Sequence, residues 1–170
     1  DVQMADNRGN TPMHLACQEG HLDVVQWLFR VGSVENVRTP DKCGITPMLF
    51  ACQGGGLGVA RWLFKHGCKD DVQITDNNGT TPMHVACAGG HLEIARWLYK
   101  SGASSTVQAK DEEGNTPMLF ACRGGHVEVA QWLFENGCMS DLYASNKHMT
   151  TPMHVACAGG HLGVARWLNE

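Results

Sequence analysis

The twelve residues TPMHVACAGGHL run from Thr81 to Leu92 and recur unchanged from Thr151 to Leu162. They carry two histidines and a cysteine, so the repetition reads either as a duplicated chemical site or as scaffolding that recurs. Spacing separates the two. Halfway between the copies, at Thr116, the chain reads TPMLFACRGGHV, and earlier it reads TPMLFACQGGGL at Thr46 and TPMHLACQEGHL at Thr11. The period is therefore 35 residues, and five units, 1–35, 36–70, 71–105, 106–140 and 141–170, fill the chain as one array. A period of about 20 to 50 residues implies stacked supersecondary units, with no single central core.

Odd units read T-P-M-H and even units T-P-M-L-F, while Cys68 and Cys138 share a column with Ser33 and Ala103. This alternation indicates that a two-unit block of 70 residues was duplicated. The repetition is genealogical before it is catalytic.

Within the first unit Thr11 can cap a helix, Pro12 suits its first turn, and Met13, Ala16 and Cys17 follow at helical spacing on one face. Such a helix of about two turns is too short to stand alone. Gly20 ends it, and a second helix is predicted from His21 to about Val31. Val24, Trp27, Leu28 and Val31 form one apolar stripe of that helix and Leu22, Val25 and Phe29 another, leaving Asp23, Gln26 and Arg30 polar. A helix this apolar needs cover on both flanks, which stacked neighbours supply. Gly32 closes it, and a short β-prone piece around Val37 leads to the turn DKCG, matched elsewhere by DNRG, DNNG and DEEG.

Lys and Arg total 13 and Asp and Glu 17, a net charge of −4 that offers no general attraction to nucleic acid or anionic membranes. No apolar run approaches the ~18 residues of a membrane span, and the opening DVQMADNRGN is no signal peptide. The missing initial methionine and the ending VARWLNE read as an excerpt of a longer chain. Five of the eight cysteines, Cys17, Cys52, Cys87, Cys122 and Cys157, recur at the period. Equivalent positions of stacked units lie roughly 10 Å apart, beyond the ~7 Å reach of a disulfide, so free thiols and a cytosolic or nuclear compartment are expected.

A turn D-x-x-G, then T-P-M-H, A-C, G-H-L, an aliphatic helix and a closing Gly together resemble the ankyrin repeat family, five times over nearly the whole chain. The resemblance implies a mostly α fold: an α-solenoid of helix-turn-helix units joined by β-hairpin loops, with a concave groove for a protein or peptide partner. The family's usual unit has 33 residues, so the stretch GSVENVRTPD is two residues longer and its hairpin or approach is expected to be enlarged. The fifth turn reads NKHM and puts Met149 where the others have Gly. A hairpin of altered shape is predicted there, because a side chain at positive φ costs about 1 kcal/mol or more.

The pairs His14 and His21, His84 and His91, and His154 and His161 lack the short spacing of a zinc site, and no metal or cofactor is expected. In the resembled family such a histidine hydrogen-bonds within and between repeats. Catalysis would need one nucleophile and one oriented base, not five near-identical copies, so no enzyme is expected. Trp27, Trp62, Trp97, Trp132 and Trp167 stand in register beside leucines and read as packing between units. Replacing Trp97 by Ala is then expected to cost about 3 to 5 kcal/mol.

Positions that recur are needed for stacking, so the variable columns carry the binding expectation. They are the turn interiors Asn7-Arg8, Lys42-Cys43, Asn77-Asn78, Glu112-Glu113 and Lys147-His148, and the residues before each Thr-Pro, Asn10, Ile45, Thr80 and Asn115. The ends of the first helices add Gln18, Gln53, Ala88, Arg123 and Ala158. The resemblance turns these columns to the groove. The expected function is a protein-binding module, with an architectural packing role in a larger assembly as the alternative. A thiol or metal sensor would need Cys43 and His148, which belong to distant turns.

Overall fold

A computed structural model describes residues 1–32 and 34–170, with the backbone alone at 34 and 35. Ser33, the first-unit counterpart of Cys68, lies outside the described residues. The described chain forms helix pairs in tandem. They are α1 Pro12–Gln18 with α2 Leu22–Val31, α3 Pro47–Gln53 with α4 Leu57–Lys65, and α5 Pro82–Ala88 with α6 Leu92–Leu98. Then come α7 Pro117–Gly124 with α8 Val127–Glu135, and α9 Pro152–Ala158 with α10 Leu162–Leu168. Each first helix packs on the next in an unbroken row from α1 to α9, and each second helix packs against its own first helix. The architecture is an α-solenoid. Among the described residues no helix is long and apolar enough to cross a membrane.

Every first helix starts at a threonine held in extended conformation with proline at the next position. The Thr81 and Thr116 hydroxyls accept from the backbone N–H groups of His84 and Leu119 at 3.3 and 3.4 Å, satisfying an orphan donor of the first turn. In odd units the histidine reciprocates: Nδ1 of His84 accepts the Thr81 backbone N–H at 3.1 Å, and His14 does the same for Thr11 at 3.0 Å. The alternation of T-P-M-H with T-P-M-L-F has a packing cause. Phe50 meets the His14 ring edge-on at 5.4 Å and Phe120 meets His84 at the same distance, so each 70-residue block carries one histidine and one phenylalanine as a fitted pair.

Methionines 13, 48, 83 and 118 and Cys17, Cys52, Cys87 and Cys122 fill the core between units. All eight cysteines are free thiols, but Cys157 and Cys43 are exposed. Burial pushes the buried thiols well above the ordinary range, those of Cys68, Cys122 and Cys138 to about 12. Cys68 and Cys138 also donate to the carbonyls of Val37 and Val107 at 3.4 and 3.3 Å, tying the end of each even unit to its start.

The tryptophans form a ladder. Phe29 packs edge-on against Trp62 at 5.1 Å, and Phe64 with Trp97, Tyr99 with Trp132 and Phe134 with Trp167 repeat the contact at 5.7, 5.8 and 6.1 Å. Trp97 is half-buried, so the expectation of a fully buried indole is corrected: its inner edge packs against the array and its outer edge meets solvent. The predicted cover on both flanks of α2 is also incomplete. Val24 is 43% exposed and Trp27 52%, whereas Val59, Ile94 and Val129, the equivalents of Val24, are each 1% exposed beneath a preceding unit.

Three expectations about the connections change. The β-prone piece around Val37 is a 3-10 turn, Val34–Val37, and Asp70–Val72, Ser104–Gln108 and Met139–Leu142 repeat it. A buried valine, Val37, Val72 or Val107, anchors each of the first three and the half-buried Leu142 the fourth, and no strand among the described residues offers a ladder. The projecting loops likewise contain no strand among the described residues. Each closes on itself, as in Asp76 N–H to Thr80 O at 3.1 Å, and joins the next by a single backbone–backbone bond, such as Glu112 N–H to Asn78 O at 2.8 Å. One bond per junction does not make a sheet.

The fifth turn keeps the common shape, which overturns the expected remodelling. Met149 has φ 57° against 74° at Gly79, and its N–H bonds Asn146 O at 3.1 Å just as Gly79 bonds Asp76 O. The left-handed residue has not shifted to the neighbouring His148, which has no positive φ. A Cβ on Gly9 would stand 2.8 Å from the Lys42 nitrogen of the next turn, but no described turn stacks on Met149, whose side chain is exposed. Only the φ strain remains.

Candidate partner-binding hollow

Between the first two projecting turns and the helices α1 and α3 lies a hollow of about 440 Å³. Leu15, Ile45 and Phe50 give it an apolar floor, and Arg8, Asn10, Cys43, Gln18 and Gln53 a polar rim. Its fingers are rigid for a local reason. The Asp6 carboxylate accepts the backbone N–H groups of Arg8 and Asn10 at 2.8 and 2.9 Å, and Asp41 accepts those of Cys43 and Ile45 at 2.8 Å each. The Asn10 bonds hold the Asp6 carboxyl below the usual range. Both carboxylates are thus committed to their turns. The Arg8 guanidinium and the Gln18 and Gln53 amides, at the rim, make no hydrogen bond among the described residues.

The helix ends along the row are tied by the G-H-L histidines. His91 Nε2 bonds Gln53 O at 3.0 Å, His126 bonds Ala88 O at 3.0 Å and His161 bonds Arg123 O at 2.9 Å, each reaching the preceding unit. This strap explains the glycine pairs. A Cβ on Gly89 would stand 2.5 Å from the His91 ring, and one on Gly90, at φ 73°, would run into His126 of the next unit. The second unit has Gly56 in place of the histidine, so no ring ties the Gln18 carbonyl at the hollow. There Gly54 packs directly on that carbonyl.

The hollow brings together six of the residues expected from the sequence, Arg8, Asn10, Gln18, Cys43, Ile45 and Gln53. Asn7 and Lys42 are tied to each other, Lys42 Nζ to Asn7 O at 3.1 Å, and Asn77 Nδ2 donates to Lys42 O at 3.2 Å. Asn78, Glu112 and Lys147 are exposed tips, Thr80 is half-buried behind them, and Ala88 and Ala158 end their helices. Arg123 lies over the Phe120 ring, 5.3 Å from its centre. Glu113 accepts from His148 Nε2 at 2.8 Å, so both are partly engaged.

Asn115 is buried: its amide donates to Asp111 at 2.8 Å, its oxygen accepts from Asn146 at 2.8 Å and its carbonyl bonds His84. The expectation that Asn115 lines the groove is therefore corrected, because two turns and a helix consume its polar atoms. Cys43 joins the hollow with turn 1 while His148 pairs with turn 4. No three metal-ligating side chains converge among the described residues.

Leu15 and Phe50 escaped the sequence reading, although their column, Leu15, Phe50, Val85, Phe120 and Val155, varies as the chosen ones do. Size and apolarity made them look like core. The variation was the usable signal.

A stack of two-helix units with finger-like turns and an open inner row defines a solenoid repeat protein. A family model described as ankyrin repeats (many copies) matches residues 55–99 and 83–134, and one described as ankyrin repeat matches 8–41. The chain belongs to the ankyrin repeat family. Ankyrin repeats are generally protein–protein interaction modules, typically without catalysis of their own.

Proposed function

We propose that this chain is one continuous array over residues 1–170 that binds a protein or peptide partner without chemistry, anchored in the hollow of the first two units. The observation that carries this reading is the apolar floor of the exposed Leu15 and the half-buried Ile45, closed below by the buried Phe50 and ringed by the unpaired Arg8, Gln18 and Gln53. An aliphatic or aromatic side chain of the partner fills the floor, and the two glutamines hydrogen-bond its backbone. Arg8 sets a preference for an acidic neighbour. The fingers beyond, Asn77, Asn78, Glu112 and Lys147, extend the contact along the row. The six buried, unpaired thiols support a cytosolic or nuclear home.

The test is binding of a partner selected from a displayed random peptide library by the wild-type protein. Leu15→Glu and the pair Gln18→Ala with Gln53→Ala should each weaken the selected peptides at least tenfold. Unchanged affinity in both, in folded variants, would move the binding surface elsewhere.

A second reading, a packing element of a larger assembly, is favoured by the exposed apolar face of Val24, Trp27 and Val31. Light scattering that shows concentration-dependent association, lost in Trp27→Glu, would support it.

A further inference from the structure

The duplicated 70-residue block allows one half of the array to be compared with the other. Asp71 is buried in the 3-10 turn Asp70–Val72 at the junction of the second and third units, its side chain 1% exposed, and Arg38 Nη2 meets its Oδ1 at 2.8 Å. The guanidinium reaches it from the surface, for the Arg38 side chain is 47% exposed. The equivalent of Asp71 one 70-residue block later is Asp141, and the equivalent of Arg38 is Gln108. Gln108 does not take over the arginine's task. Its amide instead donates to Gly137 O at 2.9 Å.

Asp141 is thereby left without a counter-ion. It is 6% exposed, its Oδ2 is occluded with no hydrogen-bond partner, and its Oδ1 has only the Ser140 hydroxyl at 3.5 Å. A buried carboxylate in that condition is costly, and proteins supply a cation or keep the group neutral. Burial pushes its carboxyl above the usual range, and Lys110, the one cation acting on it, does not form an ion pair with it. The neighbouring Cys138 thiol, itself raised, adds no positive charge. Around the acid the turn exposes apolar groups, Met139 before it at 61% and Tyr143 after it at 80%. An uncompensated buried acid flanked by an exposed aromatic and a methionine matches the composition of an arginine-accepting contact.

We propose that Asp141 is a socket for an arginine side chain of a protein partner, which pairs with Oδ1 as Arg38 does at Asp71 and lies across Tyr143 and Met139. Arginine suits the place better than lysine because its flat guanidinium can pair with the carboxylate and stack on the ring together. The site shares no residue with the hollow of the first two units, so it gives the array a second contact independent of the first.

The test uses the full chain with methyl-labelled methionine and N-acetyl-argininamide as the probe, followed by nuclear magnetic resonance. The Met139 methyl and the Tyr143 ring should shift saturably with the arginine amide and much less with the citrulline amide, its uncharged mimic. Asp141→Asn should abolish the response. Asp141→Thr should do the same, copying Thr106 at the equivalent position 35 residues earlier, which the fold already accommodates. Gln108→Arg should also abolish it, by filling the socket from within, and should raise the melting temperature. Equal shifts with the citrulline or the lysine amide, shifts that persist in both Asp141 variants, or no saturable shift at all would each overturn the proposal. So would a Gln108→Arg protein that folds but melts lower than the wild type.

Discussion

Met149 and His84 illustrate how single residues spend or store free energy in this array. Met149 holds a glycine's backbone conformation at φ 57°, and its exposed side chain gains no more than a weak contact from the Ser145 hydroxyl to its sulfur at 3.8 Å. Met149→Gly should stabilise the protein by about 1 kcal/mol, read as a higher urea midpoint. A lower midpoint would mean that the methionine packs in a way the structure does not show. His84 is buried and neutral: Nδ1 accepts from Thr81, which places the proton on Nε2, where it bonds Asn115 O at 3.1 Å. Burial lowers the pKa of His84, and of His14, below the ordinary 6.5. A base whose folded pKa is depressed contributes full stability above the unfolded value and loses it as pH falls below 6.5. Urea titration at pH 7.5 and pH 5.5 should show this loss. His84→Leu should reduce the loss and lower stability at neutral pH by about 1 to 3 kcal/mol, because the Thr81 N–H and Asn115 O lose their partner.

At the scale of elements, short helices survive because neighbours complete them. Seven-residue helices such as α5 and α9 cannot stand alone; both begin at a threonine–proline start, and α5 is tied at its end by the following unit as well. The histidine strap is such a tie. His126→Ala removes the bond to Ala88 O and should cost about 1 kcal/mol, with hydrogen exchange rising at the α5 end. Protection unchanged there would show that the glycine contacts, and not the ring, hold the helix ends. The aromatic ladder is the other tie. With Trp97 half-buried, Trp97→Ala should cost about 2 kcal/mol, less than a fully buried indole would, while Trp27→Ala should cost almost nothing. Equal costs for the two in denaturant titration would argue against the ladder.

Across the whole molecule, thiol accessibility reports the packing directly. Of the eight cysteines only Cys43 and Cys157 are exposed, so a thiol reagent should modify two groups quickly in the native protein and the other six after unfolding. Rapid reaction of more than two would mean that the units open independently. The 35-residue period, the helix pairs, the caps and the free thiols were all legible in the residues, because each depends on local spacing or on identity repeated in register. The variable columns also led to six residues of the hollow. What the sequence could not decide was which columns a neighbour consumes. Asn115 and Asn10 occupy one column, yet Asn115 is locked by Asn146 of the next turn while Asn10 borders the hollow. Trp27 and Trp132 likewise share a column, yet one is exposed and the other buried. Repeats make local chemistry identical by descent. Burial depends on which surface lies across the junction, and that contact exists only once the units are stacked.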